Sequence, residues 1–229
     1  MLWFRHIELA WERGGAQVAY DRPMRIPFLP KVSDLSELGV EPDQFRYISE
    51  ARGGSAFMLA GTCFWLGGAL FCLLFPNARV EWVLYAGLSV PFLGVLFARL
   101  QGAKLLGHPR FAALAGIATL TELAVLPSLF FLRNTQPEAL PASLLIADGA
   151  HLVILMWLHL DYSYFLACNI KIVLGMMFLF TELFSGSYPS QLAAGGVVSL
   201  VAAVLVWRDS GRTASLYSVT PTEEGPIER

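Results

Sequence analysis

Charged side chains are scarce in this sequence. Aspartate, glutamate, lysine and arginine make up 15% of its 229 residues, whereas hydrophobic residues make up 55%. A soluble globular domain carries roughly 25% charged residues. The formal net charge is −2, and no basic run is interleaved with aromatic residues as a nucleic-acid groove requires. The composition argues against nucleic acid as a partner and favours the lipid bilayer as the surroundings of the chain.

Cysteine is also rare. Cys63, Cys72 and Cys168 each lie within an apolar stretch, and none has the CxxC spacing of a redox or zinc site. We therefore predict no disulfide, no structural metal and no cofactor. The apolar run at the N-terminus is interrupted by Arg5 and Glu8 before it reaches the length of a signal-peptide core. The segment is expected to remain on the mature protein.

Long apolar stretches are what the sequence has in abundance. Six of them approach the ~20 residues that cross a hydrocarbon core of ~30 Å. Backbone polar groups must be satisfied internally in lipid, and the alternating pattern of barrel strands is absent, so we predict helices. The stretches are residues 55–75, 80–98, 111–132, 140–158, 163–184 and 189–207. The predicted fold is all-α, a bundle of six transmembrane helices.

Basic residues are distributed unevenly around these stretches. Most of them precede the first stretch, lie between the second and third, or follow the last; Arg79 and Arg133 are the two in the opposite loops. Cytoplasmic loops carry an excess of lysine and arginine. We therefore place both termini in the cytoplasm and the protein in the inner (plasma) membrane of a bacterium, with several passes.

The chain divides into three predicted regions. Residues 1–53 form a short cytoplasmic or interfacial segment, in which Trp3, Ile7 and Trp11 have the spacing of an amphipathic helix. Residues 54–207 form the six-helix transmembrane domain. Residues 208–229 form a polar cytoplasmic tail that we expect to be disordered, because it cannot bury enough apolar area to offset the entropy of ordering.

Four ionisable residues lie near the middle of the predicted transmembrane helices. A charge at the membrane centre costs at least ~2.5 to 3.5 kcal/mol, so it is rarely retained without a partner or a role. At a rise of ~1.5 Å per residue, all four lie about 12 to 16 Å from the cytoplasmic ends of their helices. We name Glu122, Asp148, His151 and Lys171 the midplane cluster, with Thr119, Tyr164 and Asn169 as predicted supporting residues.

Three roles are open for the midplane cluster. In the first, Lys171 pairs with Glu122 or Asp148, and the cluster holds the bundle together. In the second, the carboxylates and the imidazole handle a proton or a small solute. In the third, Asp148 and His151, spaced i and i+3, are weak candidates for metal ligands of an intramembrane enzyme, although no HExxH or nucleophile-elbow motif is present.

A non-catalytic assembly or sensor subunit is a further class, in which residues 1–53 would recruit the partner. The sequence favours a protein without enzymatic activity. Besides the lipid bilayer, a second copy of the chain or another membrane protein is the class of partner that the sequence leaves open. His159 and Asp161 are expected to lie at headgroup level, in a tight turn between two helices.

Several short motifs resemble those of a known family. They are Gly149-Ala150-His151-Leu152, Trp157-Leu158 and Tyr164, together with residues 54–65, Pro91 and residues 107–110. On these motifs the chain is similar to an uncharacterised family of small bacterial integral membrane proteins, a domain of unknown function. The family carries a proline where this chain has Ile154 and an aromatic residue where it has His159. The resemblance implies the fold and the location and transfers no catalytic role.

The predicted orientation can be tested by labelling single cysteines with a thiol reagent that does not cross the membrane. Cysteines placed near Arg79, Arg133 and Gly186 should react with reagent added outside the cell. Those placed near Lys104 and Arg212 should react only after the membrane is opened, since the positive-inside rule places them in the cytoplasm. Labelling near Lys104 in intact cells would overturn the orientation.

Overall fold

The structure, a computed structural model, describes residues 42–76, 81–105, 108–180 and 188–218, except the side chains of 42, 43, 45, 81, 84, 122 and 211–218. Within these ranges all secondary structure is helical, which confirms the all-α class for them. The helices are α1 (Pro42–Glu50), α2 (Ser55–Leu74), α3 (Glu81–Gly87), α4 (Val90–Leu100), α5 (Pro109–Thr135), α6 (Leu140–His159), α7 (Tyr162–Phe180) and α8 (Tyr188–Ser218), with 3-10 turns at Arg52–Gly54 and Pro137–Ala139. The amphipathic helix predicted around Trp3 and Trp11 lies outside the described residues.

Five helical stretches in the described chain are long and apolar enough to cross a membrane. They are Arg52–Leu74, Pro109–Thr135, Pro137–His159, Tyr162–Phe180 and Tyr188–Ser210. Each coincides with a predicted transmembrane helix. The chain therefore has the helices of a multi-pass membrane protein, and the count of six stays a prediction.

The second predicted transmembrane helix, residues 80–98, is divided in two. A turn at Leu88 and Ser89 separates α3 from α4, and the apolar stretch here, Tyr85–Leu100, is shorter than the other five. Pro91 lies in the first turn of α4. Proline has no N–H to donate, and its ring clashes with the carbonyl four residues earlier, so a straight helix cannot run through this point.

Two helix pairs, α2 with α8 and α6 with α7, make the most extensive contacts of the bundle. Glycines lie at both contacts. A Cβ atom at Gly195 of α8 would lie 2.8 Å from the ring of Trp65, and one at Gly175 of α7 would lie 2.7 Å from the carbonyl oxygen of Ala142 on α6. Small residues allow helix backbones to approach each other closely. Close packing of α6 and α7 is what brings Asp148 and Lys171 together.

Helix α1 packs against the end of this bundle. The buried side chain of Gln44 donates two hydrogen bonds through Nε2, to the carbonyl oxygens of Trp157 (2.9 Å) and Leu158 (3.1 Å). The last carbonyls of a helix have no partner within the helix, so α1 satisfies two of them for α6. Residues 44–50 therefore belong to the same packed unit as the long helices, although the sequence placed them in a separate N-terminal segment.

Helix α8 continues beyond the predicted boundary at residue 207, as far as Ser218. Asp209 and Ser210 are buried, so the helix still packs against the protein beyond residue 207. The structure thus differs from the disorder that we expected for residues 208–218. Residues 219–229 lie outside the described part of the chain.

A Cβ added at Gly175 tests the close approach of α6 and α7. The nearest atoms include a backbone carbonyl, which cannot move aside as a side chain can. Gly175→Ala should therefore destabilise the protein by about 1 to 3 kcal/mol, the usual range for overpacking. Thermal unfolding in detergent measures the change.

Gly116→Ala is the matched control, because a Cβ at this position of α5 meets no atom within 4 Å. Alanine is favoured over glycine inside a helix by roughly 0.5 to 1 kcal/mol, so this variant should be as stable as the parent or more so. Equal destabilisation by both variants would contradict the glycine contact.

Candidate functional site

Asp148 of α6 and Lys171 of α7 form a buried ion pair. Lys171 Nζ lies 2.5 Å from Asp148 Oδ2, and the two residues are 2% and 9% exposed. The turn between the two helices places them side by side, with Leu160 in the left-handed region at φ 50°. Of the two partners that the sequence left open for Lys171, the structure places Asp148 in contact with it. Breaking a buried pair on one side leaves an uncompensated charge, so this contact is a strong constraint on the bundle.

Trp65 of α2 contacts both members of this pair. Its indole Nε1 donates a hydrogen bond of 2.6 Å to Asp148 Oδ2, and its ring centroid lies 5.8 Å from Lys171 Nζ. Trp65 is 1% exposed. Sequence reasoning did not single out Trp65. The signal that could have identified it is its position in the middle of the first apolar stretch. Tryptophan in membrane proteins is enriched at the interfaces, and a buried indole N–H needs an acceptor.

His151 lies on the other side of the carboxylate. Its Nδ1 is 3.5 Å from Asp148 Oδ1, and its side chain is 14% exposed, against 2% for that of Lys171. One turn of helix separates His151 from Asp148, so both face the same side of α6. The two carboxylate oxygens therefore have different surroundings: Oδ2 receives Lys171 and Trp65, and Oδ1 faces the imidazole. We name Trp65, Asp148, His151 and Lys171 the Asp148 centre.

The Asp148 centre lies near the middle of the long helices. At ~1.5 Å per residue, about 16 Å of helix separate Asp148 from His159, and about 14 Å separate Lys171 from Tyr162. Both distances are close to half of a ~30 Å hydrocarbon core. The structure thus brings three members of the midplane cluster together at a common depth.

Two of the remaining predicted site residues, Thr119 and Asn169, do not join this centre. Glu122 belongs to α5, and its side chain is outside the description. Thr119 Oγ1 donates to the carbonyl oxygen of Ala115 (3.1 Å), within its own helix. Asn169 Nδ2 donates to the carbonyl oxygen of Phe165 (2.7 Å) and is exposed, because a step of two residues turns it away from the face that carries Lys171.

Tyr164 belongs to a second cluster, at the end of the bundle where α1 packs. Its hydroxyl donates to the carbonyl oxygen of Gly53 (2.7 Å). It shares a face of α7 with Lys171, but seven residues of helix put it about 10 Å away along the axis. For this reason Tyr164 cannot support the Asp148 centre directly.

Four stacked rings form the core of this second cluster. His159 lies between Tyr164 and Tyr47, with ring centroids at 5.4 and 5.7 Å, and Tyr47 stacks on Phe111 at 5.4 Å. His159 is 5% exposed, because α1 covers this end of α6. Its place at the last residue of α6 leaves the headgroup level expected for it a prediction. Burial raises the pKa of Tyr47 to about 12, and its phenol therefore stays protonated at neutral pH.

Asp161, in the turn after His159, has a structural role in the described chain. Its Oδ1 accepts a hydrogen bond from the backbone N–H of Ser163 (2.7 Å), in the first turn of α7. Burial raises the pKa of the Asp161 carboxyl, against the opposing effect of this hydrogen bond. Asp161 thus satisfies one of the free N–H groups of a helix start, as capping residues do.

A metal site finds limited support in this geometry. Among the described side chains, no three His, Cys, Asp or Glu residues come together in a group that could hold a metal ion. Asp148 and His151 are the weak candidates for metal ligands from the sequence. The further charged group beside Asp148 is Lys171 and not a third metal ligand. The arrangement is better suited to charge pairing and proton exchange than to metal binding.

The fold and the site together define a class: a helical protein with several membrane-length helices and a buried charge pair between two of them. A family model for a family of unknown function, DUF7010, matches residues 44–209. The chain belongs to this family. The match confirms the predicted resemblance to an uncharacterised family, and it extends from α1 to the end of the apolar part of α8. No curated protein and no solved structure matches the chain.

The ion pair predicts a pattern of loss and rescue in stability. Lys171→Met leaves the Asp148 carboxylate buried without its cation, and this should lower the stability by roughly 3 to 5 kcal/mol. Adding Asp148→Asn should restore most of the loss, because no charge then remains and the asparagine oxygen can still accept the Trp65 N–H. Thermal unfolding of the three proteins in the same detergent measures the effect.

The control is Lys171→Met combined with Glu122→Gln, which removes the other acid considered for the pair and should rescue nothing. Rescue by Glu122→Gln equal to that by Asp148→Asn would contradict the assignment of the partner. An unchanged melting temperature in Lys171→Met would show that the pair does not hold the bundle.

Proposed function

We propose that this chain is a six-pass protein of a bacterial inner membrane, with both termini in the cytoplasm, and that it handles protons at the Asp148 centre. Five membrane-length helices support the membrane location. Helices α3 and α4 together cover residues 81–100, about 30 Å of helix at ~1.5 Å per residue, enough for a broken sixth crossing. Six crossings put both termini on one side, in agreement with the distribution of basic residues.

The proposal for protons rests on the different surroundings of the two carboxylate oxygens of Asp148. Oδ2 is held by two donors, Lys171 and Trp65. Oδ1 faces Nδ1 of His151, the most exposed side chain of the Asp148 centre, at 3.5 Å. This distance exceeds an ordinary N–H···O hydrogen bond by a few tenths of an ångström, so a small movement closes it. Imidazole is the side chain whose charge changes most readily near neutral pH.

A proton transfer between these two groups needs no further reactant. The N–H bond of the His151 imidazolium breaks as an O–H bond forms on Asp148 Oδ1, and a neutral imidazole and a neutral carboxyl result. Lys171 takes no part in this transfer. Its Nζ lies 2.5 Å from Asp148 Oδ2, and the proton returns to His151 by the reverse step. The centre therefore has two groups that exchange a proton and a third that holds the carboxylate in place.

The tight contacts favour a proton over a larger solute. Asp148 touches both Lys171 and Trp65 within hydrogen-bond distance, and all three residues are at most 9% exposed. A solute would have to separate these groups before it could bind among them. A proton moves between His151 and Asp148 without separating Asp148 from Lys171 or Trp65.

Proton flux into liposomes tests the proposal. The purified protein is reconstituted with a pH-sensitive dye inside, and a potassium diffusion potential drives the flux. The parent should admit protons faster than empty liposomes, and His151→Gln should slow this flux by a factor on the order of 10², as the loss of a positioned proton-transfer group does. His108→Gln is the matched control: His108 lies at the start of α5, outside the Asp148 centre, and its variant should conduct like the parent.

Two outcomes would contradict proton handling. One is a parent flux no faster than that of empty liposomes; the other is equal flux in the parent and in His151→Gln. Either result would leave the Asp148–Lys171 pair with the role of holding the bundle together. Thermal unfolding of each variant, measured on the same preparations, separates a lost pathway from a lost fold.

A further inference from the structure

A cleft of about 480 Å³ opens at the end of the bundle where α1 packs. The end of α1, the Arg52–Gly54 turn, the loop after α4 and the end of the apolar part of α8 meet here. Three cations from three different elements face it. The lining residues that matter are Arg52, Lys104, Arg208, Glu50, Trp207 and Ser210.

Positive charge is in excess in this cleft. Glu50 is the one acid among the lining residues, and its carboxylate already contacts Arg46 at 3.1 Å and His108 at 3.7 Å, neither of which lines the cleft. Within the described chain, the side chains of Arg52 and Lys104 make no hydrogen bond or ion pair. Gathering like charges is unfavourable unless an anion joins them, so the cleft has the electrostatics of an anion site.

The backbone holds two of these cations in place. Arg52 has a left-handed φ of 50°. The next residue, Gly53, lies so close to α8 that a Cβ there would be 3.0 Å from Val206 Cγ1, which fixes the turn against that helix. The N–H of Lys104 donates to the carbonyl oxygen of Glu50 (2.8 Å), which ties the loop after α4 to the end of α1. The convergence of charge is therefore built into the fold.

Arg208 supplies the third cation with part of its guanidinium already used. Its Nε lies 2.9 Å from Asp209 Oδ1, and this contact orients the planar group. A guanidinium has five N–H donors, so the remaining ones can bind oxygens of an anion. Pairs of parallel N–H groups match the geometry of a phosphate better than a single ammonium does.

The cleft lies at the depth of lipid headgroups. Arg52 is the first residue of one membrane-length stretch, Arg208 lies in the last turn of another, and Lys104 follows the end of α4. Trp207 beside them is 56% exposed, and tryptophan favours the boundary between lipid and water. Basic pockets between transmembrane helices at the membrane surface bind anionic lipid headgroups.

We propose that this cleft binds the phosphate of an anionic phospholipid, with Arg52, Lys104 and Arg208 as the groups that contact its oxygens. The lipid tail would lie along the outer faces of the long helices. The binding site needs the membrane location proposed above, but it does not depend on proton handling at the Asp148 centre. The same cations would also bind free phosphate, and the experiment separates the two sources.

Thermal unfolding of the full chain in detergent, titrated with short-chain lipids, tests the site. Dioctanoyl phosphatidylglycerol should raise the melting temperature in a saturable way, and dioctanoyl phosphatidylcholine should not. Lys104→Gln should raise the half-saturating concentration of phosphatidylglycerol about five-fold, the contribution of one basic residue near a membrane surface. Arg52→Asn combined with Lys104→Gln should raise it roughly 25-fold. Asparagine is chosen because it tolerates a positive φ.

Arg99→Gln is the matched control, since Arg99 is an exposed cation at the end of α4 that does not line the cleft. Its half-saturating concentration should equal that of the parent. Lys104→Arg keeps the charge and should bind like the parent. Lys104 is exposed on a loop, so its variants test the site even if the turn at Arg52 does not tolerate substitution.

Inorganic phosphate at matched ionic strength forms the second arm. Saturable stabilisation by phosphate, weakened in Lys104→Gln but not in Arg99→Gln, would support the site with a free anion as its source. Stabilisation by phosphatidylglycerol alone would support the lipid. Equal effects of phosphatidylglycerol and phosphatidylcholine, with no effect of phosphate, would overturn the proposal, as would equal weakening by Lys104→Gln and Arg99→Gln.

Discussion

The contact between the ammonium of Lys171 and the carboxylate of Asp148 is the constraint on which the rest of this structure depends. Two charges in an apolar bundle are tolerated only when they meet with good geometry and their other hydrogen-bonding positions are filled. Three helices must therefore be fixed relative to one another, because Trp65 of α2 fills a second position on the same oxygen. Glycines let α6 approach α7 closely and let α8 approach the Trp65 ring on α2.

The same contact determines which carboxylate oxygen faces His151. Since Lys171 and Trp65 both bind Oδ2, the carboxylate is oriented with Oδ1 towards the imidazole one turn away. A carboxylate that is fixed through one oxygen and faces a titratable group with the other is suited to accept a proton and release it again. The ring stack around His159 differs, because its imidazole lies between two tyrosine rings and is enclosed by α1. The two histidines of α6 thus have different surroundings and support different roles.

Sequence patterns predicted most of the fold and three of the four residues of the Asp148 centre. Length and apolar content located five helices correctly, and the mid-helix depth of Asp148, His151 and Lys171 marked residues that the structure brings together. Trp65 was missed because it comes from a helix distant in sequence, and no local pattern links it to Asp148. Of the two predicted supporting residues on α7, helical geometry turns Asn169 away from Lys171 and places Tyr164 about two turns along the same face.

By itself, the sequence determined that the chain forms long apolar helices and that a few ionisable groups lie at their middle, because both follow from the local order of residues and the fixed rise of a helix. The tertiary structure decided which of those groups meet. It also decided that residues 44–50 pack beneath α6 and that Arg52, Lys104 and Arg208 share one cleft. Those contacts join residues far apart in the chain, and they depend on how closely glycine and other side chains let the helices approach, which no single segment specifies.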